Sequence, residues 1–230
     1  VSSVAKNSMK KIWAIVWKDI ITELRTKELF SSMFTFALLI IVIFNIAFDF
    51  SAELVPIAAP AILWVSFTFA GVLGLSRSFA LEKEGDAIQG LLLTPTDRSL
   101  LFFGKMVGNL IFVFVVELII LPLFVLFFNY DLSNHLLPLL LIIFLGTIGF
   151  VSVGTLFSAI ALSTKLREVL LPILLFPIII PVIASSVKLT AAILDGKTIG
   201  HALSAFKVLV SFDIIFVVVC AVIFEYVLEE

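Results

Sequence analysis

LLPLLLIIFLGTIGFVSVGTLFSAIAL, residues 136–162, runs for 27 positions without a charged side chain. The hydrocarbon core of a bilayer, about 30 Å thick, takes about 20 apolar residues in a helix, so this stretch is long enough to cross. In lipid every backbone N–H and C=O must be paired within its own segment or in a closed barrel, and a barrel strand would be about 10 residues long and would alternate. The reading is a transmembrane helix. Five more stretches of the same character lie on either side of it, at 29–48, 54–75, 106–128, 169–187 and 208–227.

Composition leads to the same place. Of 230 residues, 62% are hydrophobic and 14% are charged, with a mean hydropathy of +1.25, whereas a soluble domain carries roughly 25% charged residues. An ordinary soluble protein is excluded. The polar remainder is scattered over seven short pieces, which leaves no room for a fused globular enzyme. We therefore expect an all-α integral membrane protein: an N-terminal extension with an interfacial helix over 1–28, then six transmembrane helices over 29–230.

Lysines and arginines set the expected orientation. With the N-terminus in the cytoplasm, the inner pieces hold 12 of the 15; the three outer ones are Lys188, Lys197 and Lys207. This predicts a multi-pass protein of the inner, cytoplasmic membrane. A net charge of −2 gives no reason to expect a nucleic-acid partner. Cys220, the single cysteine, excludes an internal disulfide, a redox pair and a haem-attachment motif. No uninterrupted apolar region precedes Lys18 and Asp19, which argues against a removed signal peptide. Met9 fits a natural start, with residues 1–8 as an extension.

On a helical wheel of the N-terminal segment, Trp13, Val16, Trp17, Ile20, Ile21 and Leu24 share one side, and Lys11, Lys18, Thr22 and Arg25 lie opposite; Ile15 and Glu23 break the pattern. Such a helix lies flat in the interface with Trp13 and Trp17 at headgroup depth. It serves as a membrane anchor or as a docking surface for another protein.

The long connection over 76–105, SRSFALEKEGDAIQGLLLTPTDRSLLFFGK, is the most distinctive part of the chain. Its Ala87–Leu93 portion is amphipathic and is stopped by Pro95, which disfavours helix at Thr94. Leu91 and Leu92 then suit a partner groove, and Glu82 and Glu84 suit basic side chains. The alternative is a solvated loop whose charges keep it out of lipid.

Other positions carry polar or ionisable groups with fewer clues. Glu117 lies mid-way along the third crossing, where a carboxylate costs about 2.5–3.5 kcal/mol and faces the bundle interior, a cavity or a partner. It is read either as functional, or as a neutral hydrogen-bonded group or half of a pair across a dimer interface. Asp213 and Arg77 are read as interfacial or snorkelling groups. Pro172, Pro177 and Pro181 each remove a backbone donor from the fifth crossing, which makes it a hinge or a static kink. The half-apolar outer segment 188–207 is expected to dip into the leaflet. Gly104 and Gly108 fit the small-residue spacing of helix contacts.

No motif supplies chemistry to this chain by itself. Gly85 and Gly90 have the spacing of a phosphate-binding loop but are followed by Leu91 and Leu92, and Gly196-Lys197-Thr198 has Ala191 where the first glycine belongs. If transport is driven by ATP, the nucleotide binds a separate polypeptide. His135 and His201 form no metal-ligand cluster, and no serine has a base beside it. Either histidine suits haem iron as an axial ligand or serves as a polar interface group.

The string FALEKEGDAIQGLLLTPTDRSLLFFGK resembles the cytoplasmic loop of ABC-2-type permeases, and most closely that of CcmB, the haem exporter protein B family of cytochrome c maturation. The matching positions are Phe79, Glu82, Glu84, Gly90, Leu91, Leu92, Leu93, Pro95, Asp97, Arg98, Gly104 and Lys105. APAILWVSFTFAGVLGLSRSF, with Pro60, Trp64 and Arg77, LPILLFPIIIPVI and WKDIITELRTKELF are similar as well, so the resemblance covers nearly the whole chain. Gly85-Asp86 departs from the pattern, since some relatives have an acidic residue before glycine there.

The resemblance implies a permease subunit that binds no cofactor alone and pairs with a second copy. An ABC ATPase subunit, CcmA-like, would carry the ATP and dock on Phe79, Glu82, Glu84, Gly90, Leu91, Leu92, Pro95, Asp97 and Arg98. CcmC-, CcmD- and CcmE-like membrane proteins would accompany it, with haem as the cargo or on a chaperone that is released. Two other readings stay open: an ABC-2 permease for a lipid-linked glycan or drug, and a scaffold for haem-handling proteins that transports nothing.

Overall fold

The computed structural model describes residues 2–47, 55–84, 98–129, 135–161, 164 and 167–227. They form α1 (Ser2–Thr26), α2 (Glu28–Ala47), α3 (Val55–Glu84), α4 (Arg98–Phe128), α5 (Leu136–Ala161), α6 (Arg167–Leu194), a 3-10 turn (Ile199–Ala202) and α7 (Leu203–Val227). No strand occurs among the described residues. Helices α2 to α7 are the six long enough and apolar enough to cross a membrane, and the chain is an all-α integral membrane protein.

Helix α5, whose sequence opened the argument, is the centre of the bundle and packs against α3, α4, α6 and α7. Its glycines are the reason. A Cβ on Gly146 would sit 2.3 Å from the Trp64 ring, one on Gly149 2.5 Å from Asp213 Oδ1, and one on Gly154 2.3 Å from Leu75. Without a hydrophobic drive between helices in lipid, close backbone approach at small residues is what brings helices together. Among the described residues, helix α2 packs mainly against α3 and α4 and more lightly against α1. It leaves Phe36, Leu39, Ile43 and Ile46 exposed, and α7 leaves Ile214, Ile215, Val218 and Val222 exposed. Lipid is the solvent for these faces.

Polar contacts mark the two ends of the bundle. At the end carrying α1, Arg77 of α3 pairs with Glu28 of α2 at 2.5 Å, and Arg98 at the start of α4 donates to the Glu225 carbonyl near the end of α7 at 3.2 Å. At the opposite end, Asn45 of α2 donates to the Phe127 carbonyl of α4 at 3.0 Å. These contacts require neighbouring spans to alternate in direction. Arg77, read from sequence as a snorkelling group, is an ion-pair partner.

Several helices run past the limits that hydropathy sets. Helix α3 continues to Glu84 and α4 begins at Arg98, so both flanks of the expected 76–105 connection are helical and only 85–97 lies between them. Helix α6 continues to Leu194, so residues 188–194 of the expected outer segment extend a crossing. Its polar Ser185, Ser186 and Thr190 are buried; they lower the local hydropathy but face protein, so an average over sequence ends the span too soon.

Candidate functional site

Helix α1 shows three faces where the wheel shows two. Trp13, Trp17 and Leu24 are exposed, at 58%, 53% and 69%, and Arg25 is exposed as well. The face that packs on protein holds Ile15, Val16, Asp19 and Glu23, of which Ile15 and Glu23 are the residues that break the apolar pattern. Burial of Ile15, Val16 and Glu23 is nearly complete. Of the expected apolar stripe, Trp13, Trp17 and Leu24 face away from the bundle while Val16 is buried against it, and α1 docks on α4 by a mixed apolar and charged surface.

That docking surface has a defined seat. A Cβ on Gly104 would lie 3.0 Å from Ile15 Cβ, and one on Gly108 would lie 3.4 Å from Asp19 Oδ2, so Gly104 makes room for α1 and Gly108 lies against it. Between them, Lys105 Nζ meets Asp19 Oδ2 at 2.8 Å with both side chains nearly buried. The other oxygen, Asp19 Oδ1, is 3.2 Å from Lys18 Nζ. A buried ammonium is tolerated only with a hydrogen-bonded counter-charge, which α1 supplies. The Gly104-Lys105 pair that entered the resemblance is thus a helix seat.

At its other end α1 is joined to α2 through Lys27, which takes the left-handed conformation at φ 55° and donates its N–H to the Glu23 carbonyl at 2.7 Å. The Glu23 carboxylate turns back and accepts the Phe30 N–H at 2.7 Å and the Leu29 N–H at 3.4 Å. Free amides at a helix start are satisfied in this way, and negative charge there is favoured by the helix dipole. One residue closes α1 and opens α2.

A second polar region lies half-way along the bundle, around one turn of α5. Gly146 is ten residues from the start of α5, about 15 Å along its axis. Glu117 of α4 is buried and accepts a hydrogen bond from Thr147 Oγ1 at 2.6 Å; the same hydroxyl lies 2.7 Å from the Ile143 carbonyl. Trp64 of α3 and Ser186 Oγ of α6 crowd Gly146, and Asp213 of α7 crowds Gly149. A small cavity with space for about one water is lined by Trp64, Thr68, Glu117 and Thr147 among others. Trp64 is fixed by its indole N–H, which donates to Thr190 Oγ1 at 2.9 Å, and Asn109 Nδ2 donates to Thr155 Oγ1 at 3.1 Å nearer the α1 end.

Asp213 corrects a sequence reading. It was placed near the start of the last crossing as an interfacial group, but α7 begins at Leu203, and Asp213 is buried with neither oxygen hydrogen-bonded among the described residues. Lys207 and His201 delay the rise of hydropathy and so conceal the first turns of the helix. Glu117, in contrast, faces the interior cavity, one of the settings the sequence left open. Sequence reasoning missed Asp19, Thr147, Ser186 and Thr190. For Asp19 and Ser186 the signal was a glycine on the facing helix, Gly108 and Gly146.

Of the residues expected to dock an ATPase, Phe79, Glu82 and Glu84 fall on the last turns of the α3 backbone, and Arg98 opens α4. The side chains of the first three, and Gly90, Leu91, Leu92, Pro95 and Asp97 altogether, lie outside the described residues. Pro172, Pro177 and Pro181 all lie within α6, with Pro177 and Pro181 exposed on its outer face. His135 approaches the turn at Gly196, 3.9 Å from where its Cβ would be, and His201 Nδ1 is 3.1 Å from Thr198 Oγ1. Both histidines are at the end of the bundle opposite α1.

Comparison with known proteins gives a consistent result. A family model described as CcmB protein matches residues 10–229. Heme exporter protein B of Pseudomonas aeruginosa is 28% identical over 181 residues, 78% of this chain and 80% of the relative. Heme exporter protein B of Haemophilus influenzae is 27% identical over 154 residues, 66% and 69% of the two chains. That of Rhodobacter capsulatus is 24% identical over 186 residues, 81% and 85%.

Proposed function

The chain belongs to the CcmB family, and from that premise we propose that it is the transmembrane permease subunit of a CcmAB-type ABC haem exporter serving c-type cytochrome biogenesis. The observation that carries this reading is the family match over almost the whole chain; relatives named heme exporter protein B are similar over most of their own length too. Haem is then the substrate, carried across or released on a chaperone. The nucleotide belongs to a separate CcmA-like ATPase subunit, since the chain has no phosphate-binding loop in its sequence. CcmC-, CcmD- and CcmE-like proteins complete the assembly, and a second copy of this chain pairs with the first.

In this reading the α1 end faces the cytoplasm of a bacterial inner membrane, in keeping with the excess of lysine and arginine on that side. The ATPase docks on 82–98, at the end of the bundle that carries α1. Because α3 runs as helix to Glu84 and α4 starts at Arg98, a push on the intervening segment acts directly on two long levers. Closure of the ATPase dimer rocks the helices as rigid bodies. Arg98 holding the Glu225 carbonyl and Arg77 holding Glu28 spread that movement to α7 and α2. Helix α6, with three prolines, supplies the bend.

The test is affinity purification of the chain from its native membrane in mild detergent. The ATPase subunit is expected to co-purify, and Glu82→Lys with Glu84→Lys is expected to release it while the permease still inserts. An ATPase that stays bound to the doubly substituted chain would overturn the docking site. A complex without any ATPase would overturn the permease reading.

A further inference from the structure

We propose that α1 is a fixed strut clamped to α4 by the Asp19–Lys105 ion pair and the Ile15–Gly104 contact, which carries movement of α4 to the start of α2. The inference rests on the permease reading and names the positioning residues of its coupling end.

Two independent attachments lie within one helical turn of each partner. Ile15 fills the space left by Gly104, Asp19 lies against Gly108, and Lys105 between the glycines reaches Asp19 at 2.8 Å. A helix that merely floats in the interface needs no such arrangement, since Trp13, Trp17 and Leu24 already give it a lipid-facing side. Lys105 is 4% exposed, and a buried ammonium that loses its carboxylate is strongly unfavourable. Separation of α1 from α4 is therefore opposed by charge as well as by packing. Arg98, at the cytoplasmic start of the same helix in the orientation proposed above, is two turns from Lys105, so a push at the head of α4 arrives at the clamp along a continuous helix.

The far end of the strut is equally defined. Glu23 lies one turn beyond Asp19 on the docked face and receives the Leu29 and Phe30 amides of α2. Helix α1 contacts α4 and α2 but no other helix strongly. Motion of α4 thus reaches the start of α2, the most peripheral crossing, by a rigid route that adds to the direct packing of α2 on α4. Asp19 and Lys105 act through α1 and touch no substrate; they are positioning residues. The contrasting arrangement is a latch, in which α1 must leave α4 for the cycle to proceed.

Charge reversal and a cross-link separate these cases. In cells, Asp19→Lys and Lys105→Asp are each expected to lower the yield of c-type cytochrome by about tenfold, with the ATPase still co-purifying, and the double swap to restore it to within about twofold. Equal loss in the swap would overturn the clamp. For the cross-link, Asp19 Cβ lies 3.9 Å from where a Gly108 Cβ would stand, within disulfide reach. In the purified complex Asp19→Cys/Gly108→Cys, with Lys105→Met to remove the buried charge, is expected to hydrolyse ATP no more slowly when oxidised than when reduced. Arrest on oxidation, reversed by reductant, identifies a latch and overturns the strut. If no ATPase accompanies even the unaltered chain, the permease reading fails instead.

Discussion

Glu117 and Thr147 illustrate how a single buried contact is valued in lipid. The Thr147 hydroxyl has one proton and two oxygens within reach, Glu117 Oε2 at 2.6 Å and the Ile143 carbonyl at 2.7 Å. Removing the hydroxyl alone leaves Glu117 without this partner, whereas removing both polar groups leaves an apolar contact. Thr147→Val is expected to cost about 1–3 kcal/mol, and Glu117→Leu/Thr147→Val together less than Thr147→Val alone. Thermal melting of the purified chain in one detergent checks the order; a double variant less stable than the single one contradicts it. Gly146→Ala presents a Cβ 2.3 Å from a Trp64 ring that Thr190 holds in place. Overpacking of about 1–3 kcal/mol is expected, seen as a lower melting temperature. Glu117 stood out in the sequence because a carboxylate in an apolar run is conspicuous. Thr147 did not, since a threonine in the same run is ordinary and only its neighbour makes it matter.

Among the elements, α1 was legible as an amphipathic helix with Trp13 and Trp17 on its membrane side, but not in the surface by which it docks on α4. A wheel ranks faces by transfer free energy, so it put Trp13, Trp17 and Leu24 on the favoured side; that side meets lipid, and Asp19 and Glu23 face protein because each has a partner there. Glu23→Ala removes the acceptor for two amides of α2 and is expected to cost about 0.5–2 kcal/mol. Hydrogen exchange at Leu29 and Phe30 should quicken while the middle of α2 is unchanged; uniform protection would contradict the cap. In α6 the sequence identified three prolines, and the structure places Pro177 and Pro181 on the exposed face. Restoring donors with Pro177→Ala and Pro181→Ala is expected to leave insertion and ATPase binding intact while reducing cytochrome c yield by about tenfold or less. Unchanged yield would assign these prolines to a static kink.

At the scale of the whole molecule, three tryptophans report how the bundle meets the membrane. Trp13 and Trp17 are more than half exposed and Trp64 is 3% exposed. In single-tryptophan variants reconstituted with brominated lipid, strong quenching is expected at positions 13 and 17 and weak quenching at 64. Similar quenching at all three would mean that α1 does not lie between lipid and α4. The exposed aliphatic faces of α2 and α7 suit lipid or a neighbouring helix in the membrane, because the same residues on a soluble protein would form an aggregation surface. The proposed orientation rests on the count of basic residues, and labelling of single cysteines at Lys197 and Arg25 from each side of sealed vesicles checks it: position 25 is expected on the cytoplasmic side and position 197 on the other.

Hydropathy and periodicity by themselves determined that the chain is helical, that it crosses the membrane six times and that a helix precedes the first crossing, because each depends on the transfer free energy of residues close together in the sequence. The family resemblance was legible for the same reason, since its motifs are contiguous. Tertiary structure alone decided that Lys105 pairs with Asp19, 86 positions away, that Trp64 reaches Thr190, 126 positions away, and that Asp213 is interior. A polar group in lipid is placed by the partner that satisfies it, and that partner is brought near by the packing of helices at glycines, which no local average of the sequence contains.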